Sequence, residues 1–259
     1  MNFYKLIIAY DGSEYFGWQK QTQTSKTIQG ELEKALIQIS KSTNVYSLAS
    51  GRTDAKVHAI NQHVLIRINL IIEPISLLKA INSLTSNCIL VKECIEISED
   101  FNPVRDALKK EYKYYFQFKN ISHPYLKNYI TVYKHENINI DKLNQIANLF
   151  IGEHDFKNFF TVGTPVKSTI RTIYHSEVRK IKQSFFPLDE PEEIYEYKVI
   201  GNGFMKQMVR LLIGTIIDQS EVDLKSNKIR DALSSKLDKN IKLGAVSKPN
   251  GLYLSKVWY

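Results

Sequence analysis

The order of helix-like and strand-like segments constrains the fold of this chain more than any other feature of its sequence. Apolar residues recur at helical spacing in some segments and alternate with polar residues in others. Over roughly the first hundred residues the segments follow the order strand, helix, strand, strand, helix, strand, which is the split β-α-β-β-α-β unit of ferredoxin-like folds. The predicted bounds are Phe3–Tyr10, Ile28–Ile39 after a cap at Thr27, Val45–Ser50, Gln62–Asn69, Pro74–Leu84 and Cys88–Ile97.

The same order of segments begins again after Phe101. Its predicted elements are Tyr112–Phe118, Ile140–Ile151, Thr169–Lys180, Ile194–Ile200, Phe204–Asp218 and Leu252–Trp258. The sequence therefore predicts an α+β protein of two ferredoxin-like halves, residues 1–105 and 106–259. We expect the halves to share a central antiparallel sheet, with helices on one face and a cleft on the other.

Composition limits the class of partner. The 259 residues include 35 Lys and Arg against 27 Asp and Glu, which gives a formal net charge of +8. Such an excess attracts polyanions, with nucleic acid the first candidate and an anionic membrane surface the second. Two cysteines, Cys88 and Cys94, are too few for a disulfide framework or a four-cysteine zinc site, although one bridge stays open. We expect no structural metal.

The hydrophobic segments are short. None of them approaches the ~20 apolar residues that span a bilayer, and the segment Met1–Asp11 has neither a basic region nor a small-residue cleavage site. These features predict a cytoplasmic protein that does not enter a membrane.

The densest cluster of reactive side chains is the predicted loop at residues 51–59. It contains Arg52, Asp54, Lys56 and His58 between two predicted strands, where a scaffold can present a reactive group. An Arg and Asp pair that only pins a turn explains the same pattern, and a lone histidine such as His58 is commonly structural. The loop alone therefore leaves a structural and a catalytic interpretation open.

Arg210 adds a second observation. It lies in the predicted helix Phe204–Asp218, which is apolar nearly all round and therefore predicted to be buried on both sides. A buried guanidinium needs a carboxylate, and Asp54 is the partner that we expect. An aspartate held by arginine stays ionised, as a nucleophile must. A plain buried ion pair remains the alternative.

Tyr112 begins a strand whose outward face is predicted to be aromatic and basic. Lys109, Lys110 and Lys113 are assigned to that face, a composition that can stack a base and hold the neighbouring phosphates. The alternative is a tyrosine in an aromatic core stripe, an interpretation that we adopt for Tyr114 and the aromatic residues that follow it.

Motifs along the entire chain resemble those of the tRNA pseudouridine synthase A family. Their joint occurrence, in family order and at family spacing, makes the resemblance specific. The matching segments are Tyr10-Asp11-Gly12, Gly17-Trp18-Gln19, Thr27-Ile28-Gln29, Gly51-Arg52-Thr53-Asp54-Ala55, Val57-His58-Ala59, Glu111-Tyr112-Lys113-Tyr114, His154-Asp155-Phe156, Arg171, Gly201-Asn202-Gly203-Phe204, Met208-Val209-Arg210, Gly214 and Gly251-Leu252-Tyr253-Leu254.

The resemblance implies an isomerase that converts uridine to pseudouridine at positions 38, 39 and/or 40 of the tRNA anticodon stem-loop, without cofactor or metal and as a homodimer. It implies that Asp54 is the nucleophile, that Tyr112 stacks on the target base and acts on the sugar proton, and that Arg210 pairs with the aspartate. Leu252 then packs in the pocket and Arg52 helps to flip the base, with Lys56 and His58 as further substrate-binding candidates.

Three positions depart from the family pattern. Lys56 and Asn61 replace glycines, and Val104 stands where many members have arginine, with Arg105 beside it. If position 56 requires a positive φ, the lysine adds strain there; otherwise its ammonium can contact a phosphate. These departures leave the catalytic residues intact but keep open a paralogue that modifies a different RNA. A non-catalytic RNA-binding protein that retains the scaffold is the alternative from another class.

Overall fold

The structure, a computed structural model, describes residues 1–121, 123–134, 139–161, 163, 166–183, 192–220 and 227–259. Its contacts divide the chain into two compact units. Unit 1 comprises Met1–Leu108 with Tyr253–Tyr259, and unit 2 comprises Lys109–Leu252. The division therefore falls three residues after the predicted boundary, and nearly all of the last strand is grouped with the first unit.

Unit 1 has the predicted order of elements. Strands β1 and β3 pair antiparallel along most of their length, β4 lies on the other side of β1, and β2 pairs with the far end of β3. The prediction of a β-α-β-β-α-β half is confirmed. The elements are β1 (Asn2–Tyr10), α1 (Ile28–Ser40), β2 (Tyr46–Ala49), β3 (His58–Ile68), α2 (Pro74–Leu84) and β4 (Ile89–Glu96).

Local chemistry explains where α1 begins and ends. The Thr27 hydroxyl accepts a hydrogen bond from the Gly30 backbone N–H at 3.2 Å, which satisfies one of the donors at the helix start, as predicted. At the other end Lys41 adopts a left-handed conformation with φ 52°, which stops the helix. Ile28, Leu32 and neighbouring apolar residues of α1 are buried, in line with the helical spacing of the sequence.

Unit 2 is more elaborate than a second copy of the first. Strand β9 lies between β5 and β8, and β7 pairs with β8, all antiparallel, whereas β6 pairs with β5 in parallel. Strands β6 and β7 and helix α5 were not predicted, because each is too short to show a clear period. The elements are β5 (Lys109–Phe118), β6 (Thr131–Tyr133), α3 (Ile140–Asn148), β7 (Gly152–Asp155), β8 (Ile170–Gln183), β9 (Glu192–Gly201), α4 (Met208–Ser220) and α5 (Lys228–Leu233).

The last strand, β10 (Leu252–Trp258), has the predicted bounds and joins the sheet of unit 1. It pairs with β3 in parallel, with Tyr253 opposite His58 and Leu254 opposite Ala59. The predicted α+β class is confirmed. Most of the strand pairs described are antiparallel, as expected for the central sheet, whereas β10 and β6 pair in parallel with β3 and β5.

Helix α4 begins four residues later than predicted. Gln207 has φ 58°, a left-handed conformation that interrupts the helix before Met208 and leaves Phe204 outside it. The predicted burial on both sides is confirmed, since Met208, Val209 and every residue of Leu211–Ile217 are buried. Arg210 is therefore a half-buried charge within an otherwise apolar turn.

The backbone of residues 243–247 packs directly on α4. A Cβ atom added to Gly214 would lie 1.8 Å from the Ala245 carbonyl oxygen, and one added to Gly244 would lie 2.4 Å from the Thr215 nitrogen. Only glycine permits so close an approach at these two positions. The two glycines thus fix the segment that follows α5 against the helix that carries Arg210.

We predict that Gly214→Ala lowers the free energy of unfolding by about 3 kcal/mol, because the new methyl group must displace a backbone carbonyl. Urea unfolding followed by circular dichroism measures this change. Gly203→Ala is the matched control, since a Cβ there would meet only Arg171 Nε at 3.8 Å. Equal losses of stability in the two variants would contradict the close-packing explanation.

The two cysteines are not bridged. Cys88 and Cys94 are both free thiols of intermediate exposure. Burial raises the pKa of the Cys94 thiol to about 12, so that it stays protonated at neutral pH. The structure therefore excludes the single disulfide bridge that the sequence left open.

Candidate active site

Residues 50–57 connect β2 to β3 and carry Asp54. Asp54 is half-buried, whereas Arg52 and Lys56 on the same loop are exposed. All three belong to unit 1, and the loop lies between two paired strands as the sequence predicted.

The buried amide of Gln62 holds the start of this loop. Its Oε1 accepts a hydrogen bond from the Ser50 hydroxyl at 2.6 Å, and its Nε2 donates to the Gly51 carbonyl at 2.6 Å. The Ser50 backbone N–H also donates to the His63 carbonyl at 2.8 Å. The polar atoms of a fully buried side chain are thus paired with the loop that precedes Asp54.

Thr53 anchors the middle of the loop. Its hydroxyl lies 2.8 Å from the Tyr10 hydroxyl, and its carbonyl accepts a hydrogen bond from the Trp18 backbone N–H at 3.1 Å. Burial raises the pKa of Tyr10 to about 12, which keeps that hydroxyl protonated at neutral pH. The residue before Asp54 is therefore tied to two other segments of unit 1.

Two glycines let another part of the chain lie against the loop, backbone to backbone. A Cβ on Gly12 would lie 2.0 Å from the Val57 carbonyl oxygen. Gly17 has φ 99°, and a Cβ there would lie 2.7 Å from the Thr53 carbonyl oxygen. Both positions require glycine for physical reasons, which explains two of the motifs that matched the family.

The loop closes with a tight turn after Asp54. The Val57 N–H donates to the Asp54 carbonyl at 3.2 Å, and Lys56 at the third position has φ 63°. A positive φ at that position is typical of a type II turn, where glycine is preferred. Lys56 therefore has a strained backbone conformation. This is the first alternative given for position 56, a lysine at a position that requires a positive φ. Its N–H donates to the Tyr15 carbonyl at 3.1 Å.

The other replaced glycine carries no such strain. Asn61 lies within β3 and is absent from the residues with positive φ. Its side-chain amide donates to the Ser255 carbonyl at 2.8 Å and accepts a hydrogen bond from Lys92 Nζ at 2.5 Å.

His58 follows the loop at the start of β3. Its side chain is 2% exposed and its ring stacks on Tyr253, with 4.6 Å between ring centroids. Nδ1 lies 3.1 Å from the Gly12 N–H and 3.2 Å from Asp11 Oδ1. These contacts connect the histidine to the Tyr-Asp-Gly segment that packs on the loop.

Tyr112 lies in unit 2 on strand β5. Its side chain is 8% exposed, and its ring meets Phe204 edge-on with 5.2 Å between centroids. Because side chains alternate along a strand, Lys110 shares the face of Tyr112, whereas Lys109 and Lys113 lie on the opposite face. Grouping all three lysines on one basic face with Tyr112 was therefore wrong.

Arg210 is anchored by the segment that packs on α4. Its Nε donates to the Ser247 carbonyl at 2.6 Å, and its own carbonyl accepts a hydrogen bond from the Ser247 N–H at 3.2 Å. Further along α4, Asp218 Oδ2 accepts a hydrogen bond from the Ala245 N–H at 2.8 Å. This bond holds the same segment against the helix at a second point. The Ser247 contact fixes the plane of the guanidinium.

Leu252 completes the predicted set. It is 5% exposed and follows Gly251, where a Cβ would lie 2.5 Å from the Tyr115 carbonyl oxygen. Unit 2 thus contains Tyr112, Arg210 and Leu252 on three different elements, whereas unit 1 brings Arg52, Asp54, Lys56 and His58 together on one loop and the strand that follows it.

The sequence reasoning missed the residues that hold these side chains in place. Gln62 and Thr53 support the loop that carries Asp54, Asp11 contacts His58, and Phe204 packs on Tyr112. Tyr-Asp-Gly was noted only as a family motif, and no local pattern indicates that Gln62 is buried. In the part of the chain that the structure describes, no three His, Cys, Asp or Glu side chains form a group that could hold a metal ion.

Comparison with known proteins decides the family. The family model described as tRNA pseudouridine synthase matches residues 6–94 and 146–259, which include Asp54, Arg210 and Leu252. The chain belongs to the tRNA pseudouridine synthase family. The expected family is thereby confirmed, and with it the assignment of the chain as an enzyme of the isomerase class. Tyr112 lies in the interval between the two matched ranges.

Relatives that match along their full length support the same assignment. All are named tRNA pseudouridine synthase A. The protein from Anoxybacillus flavithermus is 36% identical over 258 residues, which cover 98% of each chain. Those from Listeria monocytogenes and Caldicellulosiruptor bescii are 34% and 35% identical and cover 100% and 98% of each chain.

The sequence predicted a protein that does not enter a membrane, and the helices bear on that prediction. Among the residues that the structure describes, none of the helices combines the length and the apolar character that crossing a membrane would need.

We predict that Lys56→Gly raises the free energy of unfolding by about 1 kcal/mol, because glycine adopts the left-handed conformation of this turn without strain. Chemical denaturation measures the change. Lys41→Gly is the matched control, since Lys41 also has a positive φ, 52°, but lies at the end of α1. A gain in stability for Lys41→Gly without one for Lys56→Gly would contradict the strain assigned to the turn.

Proposed function

We propose that this enzyme isomerises uridine to pseudouridine at positions 38, 39 and/or 40 of the tRNA anticodon stem-loop, with Asp54 as the nucleophile. The observation that carries the proposal is the support of the Asp54 loop, which is hydrogen-bonded at its start, middle and end. Catalysis by a carboxylate requires a fixed position relative to the substrate, and this support provides one. The matched family model, whose first range includes Asp54, further favours the proposal.

The reaction breaks the bond between N1 of uracil and C1′ of the ribose, and a bond from C5 to C1′ replaces it. The base rotates between the two steps, C5 loses its proton and N1 gains one, so the atoms balance without oxidation, reduction or a second substrate. Attack on the sugar and attack on the base are both routes for Asp54. Each needs an ionised carboxylate at a fixed position beside a desolvated nucleotide.

Tyr112 and Arg210 receive the remaining catalytic roles. The Tyr112 ring stacks on the target base and its hydroxyl acts on the sugar proton, and Arg210 is the basic residue assigned to pair with the nucleophile. Edge-on packing against Phe204 and the hydrogen bond to Ser247 supply the fixed positions that these roles need. Leu252 contributes apolar surface that excludes water.

Access to the uridine requires base flipping. Extruding a stacked base costs a few kcal/mol, which phosphate contacts and restacking on an aromatic ring offset. Arg52 and Lys56 are exposed on the loop that carries Asp54, and we assign them to RNA contacts, with Arg52 taking part in flipping. The strained backbone of Lys56 does not prevent its exposed ammonium from reaching a phosphate. We assign His58 to the positioning of the loop, because its ring is buried against Tyr253 and Gly12.

We further propose that the enzyme acts in the cytoplasm as a homodimer. Light scattering after size exclusion should give twice the 30.0 kDa mass of one chain. A mass of 30.0 kDa at micromolar concentration would contradict the dimer.

We predict that Asp54→Asn lowers the rate of tritium release from tRNA labelled at C5 of uridine by about 10³-fold or more, because the amide cannot act as the nucleophile. Binding of the same tRNA should change by less than about threefold, because the variant keeps the shape of the loop. Asp100→Asn, at an exposed position in another loop, is the control and should release tritium at the wild-type rate.

Two results would contradict this assignment. Undiminished release by Asp54→Asn would show that another group is the nucleophile. Firm binding by wild-type enzyme without release from any tRNA would support the non-catalytic RNA-binding alternative.

The target positions require a separate measurement. We predict that carbodiimide adducts, which mark pseudouridine and stop reverse transcription, appear at positions 38, 39 and/or 40 after incubation with unmodified tRNA. The matched control is the same tRNA incubated with Asp54→Asn. Adducts confined to other positions or to another RNA would support the paralogue alternative.

A further inference from the structure

Lys110 and Arg171 are two cations on the face of the unit 2 sheet that also carries Tyr112. Lys110 is two residues before Tyr112 on β5 and therefore shares its face. Lys110 pairs with Gly201 of β9, which in turn pairs with Ile173 of β8. Arg171, two residues before Ile173, lies on that same face, at the end of the sheet next to the residues that precede α4.

Within the described part of the chain, Arg171 forms no ion pair with an acidic side chain. One terminal nitrogen donates to the carbonyls of Ser168 at 2.9 Å and Ile170 at 2.6 Å, and none of the residues that the structure describes offers it a carboxylate. Burial lowers the pKa of the Arg171 guanidinium. A half-buried cation held only by neutral carbonyls loses hydration without recovering the energy from an anion.

Lys110 increases the density of positive charge. Burial and then the charge of Arg171 lower the pKa of Lys110 to about 8, so the two cations are close enough to repel each other. Lys110 remains mostly protonated at neutral pH, so an anion that reaches both side chains is attracted by two positive charges. Two neighbouring cations on one face of the sheet therefore favour an anionic ligand.

Backbone without a side chain borders Arg171. Among the residues that the structure describes, a Cβ on Gly203 would meet only Arg171 Nε, at 3.8 Å, so no described side chain fills the space at that glycine. The neighbouring Asn202 is fixed to β8, since its N–H donates to the Thr172 carbonyl at 3.0 Å and its Oδ1 accepts from the Thr172 N–H at 3.1 Å. The turn that borders this space is thus held in place.

We propose that Lys110 and Arg171 bind a backbone phosphodiester of the RNA, next to the nucleotide that Tyr112 receives. This inference rests on the proposed function. A guanidinium matches a phosphate because its planar fork can donate two hydrogen bonds, and the nearby rings of Tyr112 and Phe204 suit the base of the same strand. An aromatic ring beside paired cations is the arrangement that binds a nucleotide by its base and its phosphate together.

The first test measures the salt dependence of tRNA binding. Each lost phosphate contact lowers the slope of log K against log salt concentration by about 0.7 to 0.9. Arg171→Gln and Lys110→Gln should each show this change, together with a KM for tRNA raised about tenfold and a kcat within about twofold of wild type. Lys109→Gln, the same substitution one residue away on the opposite face, should leave slope and KM unchanged.

A loss of slope that is equal in Lys109→Gln and Lys110→Gln would overturn the proposal, because it would reflect net charge alone. Wild-type slopes in both Lys110→Gln and Arg171→Gln would overturn it as well. Arg171→Lys keeps the charge and should retain most of the slope, so it provides the comparison if Arg171→Gln does not fold.

The second test identifies the source of the phosphate. A synthetic anticodon stem-loop carries one neutral methylphosphonate at each linkage around the target uridine in turn, with a 2′-deoxy sugar on its 5′ side for chemical stability. One linkage should weaken binding to wild type about tenfold and have no further effect on Arg171→Gln, because both changes remove the same contact. Additive losses at every linkage would overturn the proposal, as would competition by millimolar inorganic phosphate as strong as that by RNA.

A failure of the proposed phosphate site can be distinguished from a failure of the proposed function. Pseudouridine formation by wild type with unaltered binding by Arg171→Gln and Lys110→Gln would reject the phosphate site alone. RNA binding that depends on both residues, without any pseudouridine formed, would reject the reaction but keep the site.

Discussion

The contact between residues 12–18 and the loop 50–57 is the constraint on which the catalytic part of unit 1 depends. Gly12 and Gly17 bring one backbone against another at distances that no side chain would allow. The contact is completed by hydrogen bonds of Trp18 to Thr53 and of Lys56 to Tyr15. Asp54 is therefore positioned by buried backbone rather than by its own side chain, so a mobile loop becomes a rigid support for a carboxylate.

Close packing of one backbone segment on another, permitted by glycines, also occurs in unit 2. Gly214 and Gly244 bring residues 243–247 against α4, and Ser247 then accepts the hydrogen bond from Arg210. In both units a charged residue, Asp54 in unit 1 and Arg210 in unit 2, lies next to a contact between two backbone segments. Such packing costs no side-chain entropy and tolerates little displacement, which suits groups whose function depends on position.

How much of this could be predicted from the sequence depends on how local each signal is. The bounds of α2 and β10 and the cap at Thr27 were correct, because they follow from a proline, a period and a hydroxyl within a few residues. The start of α4 was wrong because the left-handed conformation of Gln207 has no local signature.

The same distinction between local and distant signals applies to the candidate site. The reactive residues are visible in short motifs, but their supports are distant in sequence: Tyr10 contacts Thr53, and Arg171 approaches Lys110 from another strand. Three- and four-residue strands such as β6 and β7 are likewise stabilised by their partners and show no period of their own. The fold class and the family follow from the sequence, whereas the physical reason for each glycine and the arrangement of cations beside Tyr112 follow only from the structure.

The central claim is that the supported carboxylate of Asp54 meets the reacting nucleotide. A crystal structure with an anticodon stem-loop that carries 5-fluorouridine at the target position tests it most directly, because fluorine at C5 cannot leave as the proton does and the reaction stops with the base in the site. We expect an Asp54 carboxylate oxygen within about 3.5 Å of the sugar or base of that nucleotide, with residues 50–57 unmoved. A flipped nucleotide bound beside a different carboxylate, with Asp54 remote from it, would contradict the account.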